Sequence, residues 1–214
     1  MYYIALICLT YVIISFTEWF MHNLVMHGNV DQLLKIPIIG RILADTASEH
    51  LEHHKEVNMD MSLNHTKVKS TLFFGWEVML LLSLILILFG IPLKLLMKMD
   101  TTKYILYIIF VSILYTILWN NIHIDMHSVI GSINIKEGIP NFNGFLSRGP
   151  IYDYLLRYHT IHHLQKGKTK GNFNIIFPGF DYIFRTNNGF CFDNVEYCEN
   201  TEDKRCREIQ KKCV

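Results

Sequence analysis

The stretch His159-Thr160-Ile161-His162-His163 is an HxxHH box, and it repeats an earlier one, His50-Leu51-Glu52-His53-His54. Two pairs accompany them: His22 with His27 in HxxxxH spacing, and His123 with His127 in HxxxH spacing. Ten of the 11 histidines fall in these four boxes; His65 stands outside them and is expected to cap an element or face solvent. On a helix of 3.6 residues per turn, positions i, i+3 and i+4 share one face or its neighbour, so HxxHH presents three imidazoles together and HxxxH presents two. Positions five apart diverge by roughly 140° on a regular helix, so the HxxxxH pair requires a bend or helix end between its members.

A single metal cannot use ten imidazoles. Two metals at five each, with a sixth position open, would use them all. Imidazole suits Fe, Zn, Cu and Ni, so the side chains alone do not name the metal. An iron pair with open positions would turn dioxygen against an unactivated C–H bond. Two zinc ions would serve hydrolysis, although three protein ligands normally suffice for an open zinc site. Metal-bound imidazoles commonly donate their outer N–H to a carboxylate, which makes Glu18, Glu49, Glu52 and Asp125 candidates for that supporting role.

Around the boxes the chain is apolar. Half of its 214 residues are hydrophobic, and a net charge of +1 gives no basic face for nucleic acid. The length fits one domain. Residues 2–17 carry no charge and lack the basic start and small-residue cleavage site of a signal peptide, so they are expected to form a retained transmembrane helix of marginal length. The short apolar stretch 33–43, interrupted by Pro37 and flanked by Lys35 and Arg41, suits the membrane interface. Residues 72–96, apolar except for Glu77 and Lys94, and 104–119 are expected to span as a hairpin through the polar link 98–103. Such a hairpin returns the third box to the face that carries the second. Residues 131–150, rich in Gly, Asn and Pro, read as a loop, and a helix from 151 carries the fourth box.

Of the 20 lysines and arginines, only Lys94, Lys98 and Lys103 lie at the hairpin link, which places the histidine boxes and the C-terminus in the cytosol. Cys191, Cys198, Cys206 and Cys213 show no CxxC spacing, and in a cytosolic tail they are expected to be free thiols. Glu77, in its apolar setting, is either near the interface or functional. Asn120 and Asn121 either cap the return to the polar face or line the pocket.

The ordered set HxxxxH, HxxHH, HxxxH, HxxHH, with a membrane hairpin between the second and third boxes, resembles the fatty acid hydroxylase / sterol desaturase superfamily over residues 18–186. The segments Asn172-Phe173-Asn174 and Asp181-Tyr182-Ile183-Phe184-Arg185-Thr186 are similar to the family's closing segment, with Arg185 in place of its usual glycine. The resemblance implies a non-haem di-iron oxygenase of the endoplasmic reticulum membrane, acting with O2 on fatty acyl, sphingolipid or sterol-type lipids. It implies that His22, His27, His50, His53, His54, His123, His127, His159, His162 and His163 ligate two Fe ions, for which Zn can substitute in a purified sample. Electrons would come from NAD(P)H through cytochrome b5. The chain has no His-Pro-Gly-Gly haem motif, so the cytochrome b5 and its reductase would be separate proteins.

The sequence therefore predicts an all-α integral membrane helical bundle of about three to four membrane helices under a cytosolic histidine-rich dimetal cap. The membrane-embedded domain covers 1–186, and a polar Cys-containing tail covers 187–214. Hydroxylation is the leading expectation, with desaturation by the same ligands the alternative. A metal-dependent hydrolase and a non-catalytic metal-binding membrane protein are the readings from other classes. The basic turn 166–170 would meet a lipid headgroup, an acidic face of cytochrome b5, or solvent alone.

Overall fold

The computed structural model describes residues 2–57, 61, 75–127, 148–164 and 170–187, apart from the side chains of Trp76, Glu77 and Leu164. His65, the Glu77 side chain, the four tail cysteines, the loop 131–147 and the basic residues 166 and 168 lie outside that description.

The described residues are mostly helical, with no strand among them. Helix α1 (Tyr2–Phe20) runs without a break into a π-helical turn, Met21–Met26. After α2 (Val30–Leu33), α3 (Gly40–Glu56) carries the second box. Helices α4 (Trp76–Phe89) and α5 (Ile91–Leu96) precede the long α6 (Thr101–Met126), followed by α7 (Gly149–Leu164) and α8 (Phe180–Ile183).

Two stretches, Tyr2–Met26 and Thr101–Met126, are long and apolar enough to cross a membrane. The apolar run 72–96, expected to be one span, is instead divided at Gly90, which ends the 14-residue α4. A Cβ at Gly90 would lie 2.6 Å from the Tyr104 hydroxyl oxygen and 2.7 Å from the Leu86 carbonyl oxygen, so the glycine is what lets α6 start against the end of α4. Pro92 then opens α5, where its missing N–H costs nothing. Asp100 caps α6 by accepting the Lys103 backbone N–H at 2.9 Å.

Helices α4 and α6 run antiparallel, because Tyr104 donates to the Ile87 carbonyl at one end while Val78 and Leu82 line one pocket with Tyr115 and Trp119 at the other. With α1 they enclose a core of Ile14, Leu82, Leu86, Ile108, Val111, Tyr115 and Trp119. The outer faces stay apolar: Leu80, Leu84, Leu88, Leu106 and Phe110 are each about 60% exposed. An aqueous surface of that kind would be unfavourable at about 25 cal/mol per Å2 of apolar area.

The stretch 33–43 folds as a tight bend between α2 and α3. Gly40 sits so close to the Leu33 carbonyl that a Cβ would stand 2.6 Å from it. Beside it Ile38 takes a φ of +71° and is fully exposed.

Candidate metal centre

All four boxes lie at the C-terminal ends of helices or of the turn that continues one. The first occupies the π turn after α1, the second the last two turns of α3, the third the end of α6 and the fourth the end of α7. Helix C-termini carry the negative end of the macrodipole, which favours a nearby cation.

The π turn resolves the awkward HxxxxH spacing. Its i→i+5 hydrogen bonding widens the helix so that residues five apart come over one another. The rings of His22 and His27 consequently lie 5.2 Å apart and nearly parallel, at 21°.

The ten boxed histidines form two groups of five, each with its ligand atoms within 4.8 Å of one another, and each able to hold a metal ion. The first group is His22, His27, His50, His54 and His162; the second is His53, His123, His127, His159 and His163. Each HxxHH box serves both. His50 and His54, four apart, join the first group while His53 joins the second; His159 and His163 join the second while His162 joins the first. Adjacent helical residues are about 100° apart, so consecutive histidines necessarily face different ways.

In the first group the Nε2 atoms of His27, His50, His54 and His162 form a closed square. Its sides are 3.2 Å (His27–His50), 3.1 Å (His50–His54), 3.1 Å (His54–His162) and 3.0 Å (His162–His27). His22 Nε2 stands 3.0 Å from His50 Nε2. In the second group His159 Nε2 lies 3.0 Å from His127 Nε2 and 3.1 Å from His163 Nε2. A metal–imidazole bond of about 2.1 Å gives ligand separations of about 3.0 Å at 90° and about 3.4 Å at the tetrahedral angle. The observed edges match the right-angled arrangement. Five such ligands leave a sixth position.

The protonation pattern suits metal binding. His22 Nδ1–H donates to the Phe173 carbonyl at 2.7 Å, His162 Nδ1–H to Gly171 at 2.7 Å, and His127 Nδ1–H to Met61 at 3.1 Å. Each bond fixes the tautomer that leaves the Nε2 lone pair free. Both ring nitrogens of His53 are buried without a hydrogen-bond partner, a costly state that a metal ion would relieve. Burial holds His50, His53, His54, His159 and His163 well below the usual imidazole range, and lowers His127 and His162 to about 4. Neutral imidazole is the ligating form.

Two of the four candidate carboxylates, Glu18 and Glu52, have other partners than the one expected of them. Glu18 is buried, but it accepts the backbone N–H groups of Ile175, Ile176 and Phe177 at 3.1, 2.8 and 2.8 Å, not a histidine. Glu52 is exposed and pairs with Lys55 at 2.6 Å. Glu49 is exposed on α3. Asp125 is buried between His123 and His127 in sequence. The outer nitrogens of His22, His127 and His162 are met by main-chain carbonyls, which side-chain reading could not find. Asn120 and Asn121 are buried within α6, and Asn121 donates to the Ile117 carbonyl at 2.6 Å.

Two buried carboxylates support the carbonyls. Asp181 accepts the N–H groups of Phe173 at 3.0 Å and Asn174 at 2.7 Å, and the Thr186 hydroxyl at 2.6 Å. Asn174 donates to the Ser15 carbonyl at 2.7 Å and accepts the Asp181 N–H at 3.0 Å. Residues 172–177 are thus clamped between α1 and α8, with Phe173 aimed at His22. Arg185, with φ +56°, occupies the left-handed conformation that a glycine would take without strain.

A pocket opens beside the first group. Met21, Met26, Val78, Leu82, Tyr115 and Trp119 form its walls, with His22 and Glu18 also lining it. No protein-family model matches the chain, and neither the curated proteins nor the solved structures contain a significant match.

Proposed function

We propose that this chain is an O2-dependent lipid hydroxylase of the fatty acid hydroxylase / sterol desaturase type, built around a histidine-ligated di-iron centre. The observation that carries this reading is the pair of five-imidazole groups, the first with neighbouring ligand atoms 3.0–3.2 Å apart and an apolar pocket beside it. Five neutral nitrogen ligands with a position to spare suit an iron site for oxygen chemistry better than a three-ligand zinc site for hydrolysis.

His22, His27, His50, His54 and His162 would hold one metal ion, and His53, His123, His127, His159 and His163 the other. When bound, the iron pair supplies the oxidising power to insert oxygen from O2 into a C–H bond. The chain's residues orient and shelter that chemistry. Met21, Met26, Leu82 and Trp119 hold a hydrocarbon chain against the His22 side of the centre and exclude water. The carbonyls of Phe173, Gly171 and Met61 fix the ring orientations.

The two long apolar helices and the apolar outer face of α4 support a membrane-embedded bundle with the histidine groups as its cap. Within this proposal the protein is a multi-pass protein of the endoplasmic reticulum with its boxes in the cytosol. A separate cytochrome b5 and its reductase deliver electrons from NAD(P)H.

Comparative lipid mass spectrometry tests the proposal. Cells expressing the wild-type chain are compared with cells expressing His163→Ala, both supplied with cytochrome b5 and its reductase. A lipid that gains one oxygen only with the wild type supports hydroxylation and identifies the substrate. A lipid losing two hydrogens would replace hydroxylation with desaturation. No change in any lipid, in a folded and iron-loaded protein, would overturn the proposal.

A further inference from the structure

Residues 170–173 face the outer nitrogens of three of the five histidines in the first group, and they treat them differently. Phe173 and Gly171 offer carbonyl oxygens to His22 and His162. Lys170 instead brings its ammonium Nζ to 3.1 Å from Nδ1 of His27. An ammonium has donors only, so this contact needs an accepting Nδ1. A neutral imidazole that accepts at Nδ1 carries its proton on Nε2, the atom that lies in the ligand square. Coordination through Nε2 requires the opposite tautomer, whose Nδ1–H would confront the lysine N–H groups. The lysine contact and metal ligation by His27 therefore oppose each other.

Two further observations bear on His27. It is partly exposed, as is His54, whereas His22, His50 and His162 in the same group are buried. It also terminates the π turn, where its backbone (φ −98°, ψ 8°) has already left helical geometry. Single π turns inside α-helices recur at functional sites.

Building on the two-metal reading above, we infer that His27 is the exchangeable ligand of the first group, and that Lys170 makes it so by competing for its imidazole. Release of His27 toward Lys170 would leave that metal held by His22, His50, His54 and His162. In the second group His53, His123, His127 and His159 are buried and His163 is partly exposed.

Histidine footprinting tests this without reference to turnover. The full chain in detergent is loaded with Co2+, its metal content is measured, and it is treated with diethyl pyrocarbonate. Peptide mass spectrometry then gives, for each histidine, the ratio of its modification rate without metal to that with metal, which cancels differences in exposure. In the wild type, His27 is expected to be protected about tenfold less than His22, His50 and His162. Lys170→Met should raise the protection of His27 by about tenfold and leave the others unchanged, and Lys170→Arg should resemble the wild type. Equal protection of His27 and His22 in the wild type, or no response of His27 to Lys170→Met, would overturn the inference. A chain that binds fewer than two Co2+ ions at saturation would instead count against the two-metal reading itself.

Discussion

His53 and His54 are neighbours in sequence, yet their side chains enter different metal groups, with ring centroids 6.0 Å apart at 66°. Each should therefore be separable by mutation. His54→Ala is expected to cost the first group at least tenfold in metal affinity, and His53→Ala to do the same to the second. Elemental analysis of purified protein should find about one metal per chain in either variant, against two in the wild type. Loss of both metals from each variant would show the groups to be a single cooperative unit.

Glu18 holds three backbone N–H groups from the opposite end of the chain. Glu18→Ala leaves those buried donors unpaired and should destabilise the protein by about 4 kcal/mol, while Glu18→Gln, which keeps one acceptor oxygen, should cost about 2 kcal/mol. Thermal unfolding in detergent gives the ranking. Equal stability of all three proteins would mean that water or another group replaces the carboxylate.

The metal-free protein should lose stability in mild acid. His127 and His162 have folded pKa values lowered to about 4 from the usual 6.5. Above pH 6.5 both are neutral whether folded or unfolded, and their contribution is fully present. Between pH 6.5 and about 4 the unfolded chain binds the protons that the folded chain refuses, so stability falls by up to about 3 kcal/mol for each. Melting temperatures measured from pH 7.5 down to 4 should be level at first and then drop. A flat profile would contradict the buried, neutral state of these rings.

Arg185 pays a conformational penalty for its φ of +56°. Arg185→Gly should stabilise the protein by about 1 kcal/mol, and Arg185→Val should destabilise it by a similar amount. Melting temperatures in detergent decide, and destabilisation by glycine would assign the arginine side chain an interaction of its own.

Leu82 lies on the wall of the pocket that reaches His22. Leu82→Trp fills that space. Product formation in the lipid assay should fall at least about tenfold, with metal content unchanged. Undiminished turnover would place the substrate elsewhere.

The ten histidines could be read from the sequence because helical spacing alone brings i, i+3 and i+4 together. The need for a break between His22 and His27 was also legible, but not its form, since a π turn leaves no mark in residue type. The hydropathy of residues 72–96 concealed the division at Gly90, because an apolar average does not register a glycine against which Tyr104 packs. Carboxylates were expected behind the histidines, and behind His22, His127 and His162 main-chain carbonyls were found. Glu18 and Asp181 act one step further out, on the backbone that presents those carbonyls. Every residue contributes a carbonyl, so no side-chain pattern reveals which ones are used. The positive φ of Arg185 likewise leaves no mark in residue type, since arginine gives no sign of a left-handed backbone.

The clamp on residues 172–177 also sets an order of assembly. Its anchors are Ser15 and Glu18 on the first helix and Asp181 and Thr186 near the end of the described chain. A growing polypeptide that has not yet produced Thr186 lacks the hold on Phe173, and therefore the finished orientation of His22. The first group can take its final shape only after the chain has been made as far as Thr186, so its completion signals that α1 and α8 have met.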